Sequence, residues 1–306
     1  MSKTAWVAFV GVAFLWGMPY LLIKVAVDDG LAPGFVTWVR VVLGAAVLLV
    51  LARRAGVLKT LRGRARWLVV VAVTEIALPF TLIAVGEQHV SSSLAAIVIA
   101  AAPLFVVLLA LRFDPSERAG GLRLTGLILG FAGVVALVGI DVAGSAGELL
   151  GAAAILAAAF CYAVGPMVFK LHLADLDPRA SMSASLAIAA LLLTPAAAFD
   201  TPARVPSPAA SLSLLGLGFF CTAAALVLYG VLIAQAGASR ALVVTYVNPV
   251  IAVALGIALL GEHPGIGAIA GLPLVLAGAW LSTRSPRPRL RLAGSANPRL
   301  QLGTAQ

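Results

Sequence analysis

The chain has 306 residues, 62% of them hydrophobic and 11% charged, with a net charge of +9. A water-soluble domain cannot be this apolar, because its surface must be covered with polar groups. The continuous Ala-, Leu- and Gly-rich runs are also unlike the alternating strands of about ten residues that build an outer-membrane barrel. What remains is an all-α integral membrane protein. Its positive charge sits in loops and tail, where membrane topology accounts for it without nucleic acid as a partner.

In chain order the apolar runs predict ten transmembrane helices. They cover about Thr4–Val27, Pro33–Ala52, Trp67–Gly86, Ser91–Leu111, Leu122–Ile140, Leu149–Lys170, Ala180–Phe199, Ala209–Ala234, Ala241–Leu260 and Ile266–Thr283. The first run carries Trp16, Pro19 and Lys24 and has no small-x-small cleavage site, so it reads as an uncleaved span and not a signal peptide. The third and fourth form an apolar hairpin from Val73 to Leu111, broken only by Glu87, Gln88, His89 and the run Ser91 to Ser93, which reads as a helix N-cap. Gly126, Gly130 and Gly133 in the fifth run allow close packing, within the chain or in a homodimer. Residues 284–306 are Pro- and Arg-rich with no apolar run and read as a disordered basic tail.

Eighteen of the 21 Lys and Arg residues fall on one side of this arrangement, while the other side carries Asp28, Asp29, Glu87, Asp141, Glu148, Asp200 and Glu262. The positive-inside rule then puts both termini in the cytoplasm of a bacterial cell with the protein in its inner membrane.

The chain repeats itself. Trp16–Lys24 (WGMPYLLIK) matches Tyr162–Lys170 (YAVGPMVFK), and Pro103 matches Pro249, at an offset of 146 residues; Glu117 matches Glu262, Gly126 matches Gly271 and Gly133 matches Gly278 at 145. Two five-span units follow, 4–140 and 148–283. Because five is odd, they enter the membrane in opposite directions, as the inverted repeats of many secondary transporters do.

The phrases LWGMPYLLIK, Val39-Arg40, APLFVVLLAL, NPVIAVALGIALL and LGEHP resemble the drug/metabolite transporter superfamily, and within it the EamA-like family, over residues 4–283. Phe113-Asp114-Pro115-Ser116-Glu117 departs from the family's Gly-Glu pair after the fourth span. The resemblance implies a cavity between the halves, alternating access, and export or exchange of small metabolites including amino acids.

Several polar residues lie where polarity is costly. Glu75 is about eight residues, or roughly 12 Å, into the third span. It reads as a protonatable or amine-binding group, against the alternative of a structural pair. Its repeat mate is Cys221. Arg40 is placed to meet Glu75 in a fixed ion pair or to bind a substrate carboxylate. Trp16, Tyr20 and Tyr162 can stack on an organic substrate or anchor the helices, and Tyr246 and Asn248 offer polar lining beside Pro249. Pro19, Pro103 and Pro249 interrupt the backbone ladder, as gates or as static kinks. Lys24 and Lys170 end their spans and either snorkel to the head groups or pair with acids. His89 reads as a solvated loop residue.

No Walker motif, HExxH, paired catalytic carboxylates or Ser-His-Asp set occurs, so the reading includes no cofactor, no metal and no enzyme activity. The function expected is efflux of a small organic metabolite, amino acids first, by alternating access, with lipid bilayer and substrate as partners and protons as the candidate coupling ion. Alternatives are an uncoupled facilitator, a multidrug exporter, a non-transporting membrane sensor, or an enzyme acting on lipid-linked substrates.

Overall fold

The computed structural model describes residues 1–113, 121–141, 145–241 and 243–283. The departure at 114–117 and the tail lie outside them. The described chain is helical and has no strand. Eight helices are long and apolar enough to cross a membrane, and two shorter apolar helices follow. The long ones are α1 (Lys3–Asp28), α2 (Pro33–Arg54), α3 (Ala65–Glu87), α4 (Ser92–Leu109 within Ser92–Ile99 and Ala102–Phe113), α5 (Leu122–Asp141), α6 (Ala146–His172), α7 (Pro178–Phe199) and α8 (Pro208–Ala236). The shorter ones are α9 (Val244–Leu260) and α10 (Ile266–Thr283). Val7, Val135, Leu150 and Leu191 are exposed on the outside of the bundle, which suits a lipid surround.

Local chemistry sets the interruptions. Pro19 has no N–H to donate, so α1 is divided at Met18; Met18 N still donates to Phe14 O (3.0 Å) and Leu22 N to Met18 O (3.2 Å). Pro103 falls in the first turn of the second part of α4, where a missing donor costs nothing. The helix tightens just before it, with Ala101 N donating three residues back to Val98 O (3.1 Å). Pro249 is different: it is buried within α9, and the helix runs through it from Val244 to Leu260. Wide π-helical turns occupy Ala72–Ala77 in α3 and Gly216–Ala224 in α8. At the 146-residue offset the first falls inside the second, and both hold the positions of Glu75 and Cys221.

The helices pack in matched pairs. α5 lies along α10, α2 along α7, α3 against α6 and α1 against α8; α1 also meets α9 as α6 meets α4. Adding or subtracting five converts each pair into itself or its mate. The glycine face of α5 is used within the chain: a Cβ on Gly126 would strike the Ser282 backbone, and one on Gly133 would lie 2.9 Å from Val275 N.

The ends differ in charge. At the acidic end, Asp29 Oδ2 accepts from Ser207 N (3.1 Å) and Arg204 donates to Asp29 O (2.6 Å). At the basic end, Arg64 binds Asp175 Oδ2 (2.7 Å) and His172 O (2.9 Å), while His172 stacks on Trp67 at 3.5 Å.

Candidate functional site

The ionisable centre is built mainly from α1, α2, α3, α6 and α8. Arg40, on α2, is 6% exposed. Its Nε donates to Thr222 Oγ1 (3.1 Å) and its guanidinium carbon sits 3.7 Å over the Phe80 ring. The π turn of α8 orients Thr222, whose hydroxyl donates five residues back to Leu217 O (2.8 Å). A cation over an aromatic face recovers part of the cost of burial. No other described residue bonds or ion-pairs the guanidinium, so its terminal nitrogens remain available. Tyr20, Tyr162 and Cys221 lie within its field.

Arg40 does not meet Glu75, contrary to the ion pair that the sequence suggested. Glu75 points instead into α6, against Gly165, where a Cβ would collide with its carboxyl group. Its Oε1 is buried with no protein donor, and Cys161 and Tyr162 are its electrostatic neighbours. The pairing fails because α3 turns Glu75 toward α6, while Phe80 fills the side of α3 that faces Arg40.

The acid whose charge acts on Arg40 is Glu87, which the sequence placed in a loop. α3 continues through it, and the residue is 0% exposed with both carboxyl oxygens lacking a protein partner. Lys24 does not snorkel: its Nζ donates to Glu87 O (3.0 Å) and pairs with Asp28 Oδ1 (2.9 Å). The available signal was the apolar pattern of α3, which carries on through Gly86; Gly86 is pressed against Ile155 and the Gly151 backbone, drawing Glu87 inward.

The remaining candidates separate into two groups. Trp16 packs on Tyr229 (4.7 Å between centroids), and Gly17 lets α1 approach the Asn248 backbone. Asn248 Oδ1 is buried without a protein partner. Tyr246 lies apart, bonding Ala279 O at 3.4 Å on the α10 side. Pro19 is buried beside Tyr20, so it shapes the centre directly, whereas Pro103 sits at the α4 break.

A cavity of about 460 Å³ opens at the acidic end, lined by residues including His89, Ser93, Asp141, Glu148 and His263. Glu262 binds Ser92 N (2.7 Å) and Ser93 N (3.0 Å), capping α4 from the chain after α9, and also accepts from the Ser93 hydroxyl. Asp141 caps α10 through Gly267 N (2.9 Å) and Ala268 N (2.6 Å). Among the described residues no cluster of three His, Cys, Asp or Glu side chains could hold a metal ion.

Long apolar helices around buried ionisable groups define a polytopic membrane protein. The EamA-like transporter family model matches residues 3–139 and again 149–284, so the chain belongs to that family, in the drug/metabolite transporter superfamily. It is 29% identical to a protein named as a probable terminal-alkyne amino-acid exporter from Streptantibioticus cattleyicolor, over 98% of this chain and 99% of that one. It is 27% identical to PagO of Salmonella typhimurium, over 81% and 83%. It is 28% identical to the Escherichia coli inner membrane transporter YedA, over 83% and 82%. One solved crystal structure shares the fold with a TM-score of 0.65 at 20% identity, covering 92% of this chain and 98% of that one.

Proposed function

We propose that this protein is an inner-membrane secondary exporter of small organic metabolites, amino acids or related compounds. It works by alternating access between two inverted five-helix halves that together make ten spans. The observation that carries the reading is the set of buried carboxyl oxygens of Glu75 and Glu87 that have no protein donor, together with the buried Arg40, on helices that pack across the two halves. Ionisable groups at such depth are costly and serve substrate or ion pathways. The matched helix pairs and matched π turns support the repeat, and the name of the Streptantibioticus relative favours amino acids. The basic loops favour cytoplasmic termini.

Glu75 is the group offered for proton coupling, at midspan on a π turn that can change register. Tyr20 and Tyr162 flank the substrate body. Pro19 and the α4 break at Pro103 are the bending points, whereas α9 runs through Pro249.

Flux into proteoliposomes of the purified protein tests this reading, using labelled amino acids, nucleobases, sugars and cationic dyes with and without a pH gradient. Saturable movement of one class is expected, accelerated by the gradient. Movement that ignores the gradient makes the protein a facilitator. No movement of any class, from folded protein, overturns the transporter reading.

A further inference from the structure

We infer that the link between α2 and α3 is a docking surface for anionic phospholipid headgroups, a folded basic platform that holds lipid phosphates at the basic end of the protein. This surface meets the membrane and no transported species, so its failure leaves the exporter reading untouched. Residues 53–66 carry Arg53, Arg54, Lys59, Arg62, Arg64 and Arg66, and the sequence holds no acid between Asp29 and Glu75. Arg64 is taken by Asp175 and by His172 O. The other five side chains are exposed, and among the described residues none of the five is in an ion pair. α2 has 22 residues and so is about 33 Å long, enough to cross the hydrocarbon core. Arg53 and Arg54 end it, and Arg66 lies in the first turn of α3, which puts the cations at the depth of the lipid phosphates. Clusters of Lys and Arg at that depth attract anionic headgroups.

The link is shaped as well as charged. Gly56 and Gly63 take positive φ, 71° and 78°, with open space around each, so the turn of the backbone and not crowding calls for glycine there. Between them Val57–Leu61 forms a 3₁₀-helical turn, in which Thr60 Oγ1 donates to Val57 O (2.7 Å). Leu61 packs on the cluster of Leu68, Val71 and Leu173, and the turn lies against α7. Arg66 is held with its guanidinium carbon 4.9 Å from the centre of the Trp67 ring, which itself stacks on His172. Tryptophan favours the headgroup layer. Cations presented on an ordered turn lose less freedom on meeting a phosphate than cations on a loose loop. The fold does not by itself require this charge. At the 146-residue offset the corresponding link between α7 and α8, residues 200–207, has one cation, Arg204, and it already donates to Asp29 O.

The test uses full-length protein in a neutral detergent, with phosphatidylglycerol and phosphatidylcholine of equal chain length as probes and native mass spectrometry to count the lipid bound. The natural sequence is expected to retain phosphatidylglycerol over phosphatidylcholine, with a preference that weakens as salt rises. Arg54→Gln/Lys59→Gln/Arg62→Gln is expected to weaken phosphatidylglycerol binding roughly fivefold for each charge removed and to leave phosphatidylcholine binding unchanged. Lys3→Gln/Lys170→Gln/Arg240→Gln removes the same charge from exposed positions elsewhere and is expected to keep the preference. If the first triple variant does not fold, Lys59→Gln and Arg62→Gln singly decide, since neither side chain has a bonding partner to lose. Equal retention of both lipids by the natural sequence overturns the platform, as does an equal loss of preference in the two triple variants. Displacement of phosphatidylglycerol by inorganic phosphate, beyond that caused by chloride at the same ionic strength, would assign the surface to free phosphate and overturn the lipid reading.

Discussion

Asp29 and Asp175 stand 146 residues apart, after α1 and after α6, and each fastens its helix to the chain just ahead of another helix at opposite ends of the molecule. Asp29 holds the approach to α8 through Ser207 N and a backbone bond from Arg204; Asp175 holds the approach to α3 through Arg64. Both clasps are closed together. An alternating carrier in which each half closes one end would have such a pair.

Releasing one clasp should favour opening at that end. Arg64 and Asp175 side chains are 38% and 61% exposed, so the clasp contributes about 0.2–1 kcal/mol, no more than about a fivefold shift. A single cysteine placed at Tyr20 in a Cys161→Ala/Cys221→Ala background can report this by its rate of reaction with an impermeant maleimide. Arg64→Gln should raise labelling from the basic side and Arg204→Gln from the acidic side. Unchanged rates from both sides would show the clasps to be incidental to opening.

The acidic-end clasp should also respond to pH. The hydrogen bond from the Ser207 backbone holds the Asp29 carboxyl below its ordinary value of 3.8. A carboxyl depressed in the folded state adds stability that is complete above its unfolded value and is lost as pH falls through the folded one. Thermal unfolding of the natural protein and of Asp29→Asn should therefore differ near neutral pH and converge as pH falls below about 4. A gap that is constant down to acid would assign the difference to something other than this charge.

Gly165 leaves the space that the Glu75 carboxyl fills. Gly165→Ala puts a methyl group where the Glu75 carboxyl lies, an overpacking that typically costs about 1–3 kcal/mol. Glu75→Ala should relieve much of it, so the double variant should be more stable than the two single effects predict. Reaction of the native thiols Cys161 and Cys221 with a fluorogenic maleimide during heating reports unfolding, since Cys221 is buried and Cys161 half-buried. Strict additivity would mean the two side chains do not share that space.

The class of fold was legible because the bilayer allows only runs of apolar helix, and runs can be read without knowing partners. The break at Pro19 was legible for the same local reason. Ser91 was correctly read as an N-cap, its side chain accepting from Leu94 N at 3.2 Å. The partners of Arg40 were not legible. Thr222 is 182 residues away and is aimed by a π turn that no local pattern announces. Glu87 was misplaced because its polarity resembled the start of a loop, whereas the helix beneath it continued. Pro249 looked equivalent to Pro103 by offset, but the chain breaks ahead of one and runs through the other, because flanking packing decides whether a proline's freed carbonyl is tolerated.

Glycines that resemble one another in sequence should behave oppositely along α5 and α10. Gly278 faces the Gly130 backbone with no room for a Cβ, and the obstacle is main chain, which cannot rotate away. Gly278→Val should therefore separate the two helices and lower stability by about 3 kcal/mol or more, beyond the usual cost of an overpacked side chain. Gly139, on the same helix as Gly130, has nothing within 4 Å of where its Cβ would be. Gly139→Ala should raise stability by about 0.5–1 kcal/mol, since the helix gains an alanine and the unfolded chain loses freedom. Melting curves of the two variants in one detergent give the comparison. Equal tolerance of both changes would mean that α5 and α10 are not in contact along this face, and the seam that joins the two family-matched units would have to be sought elsewhere.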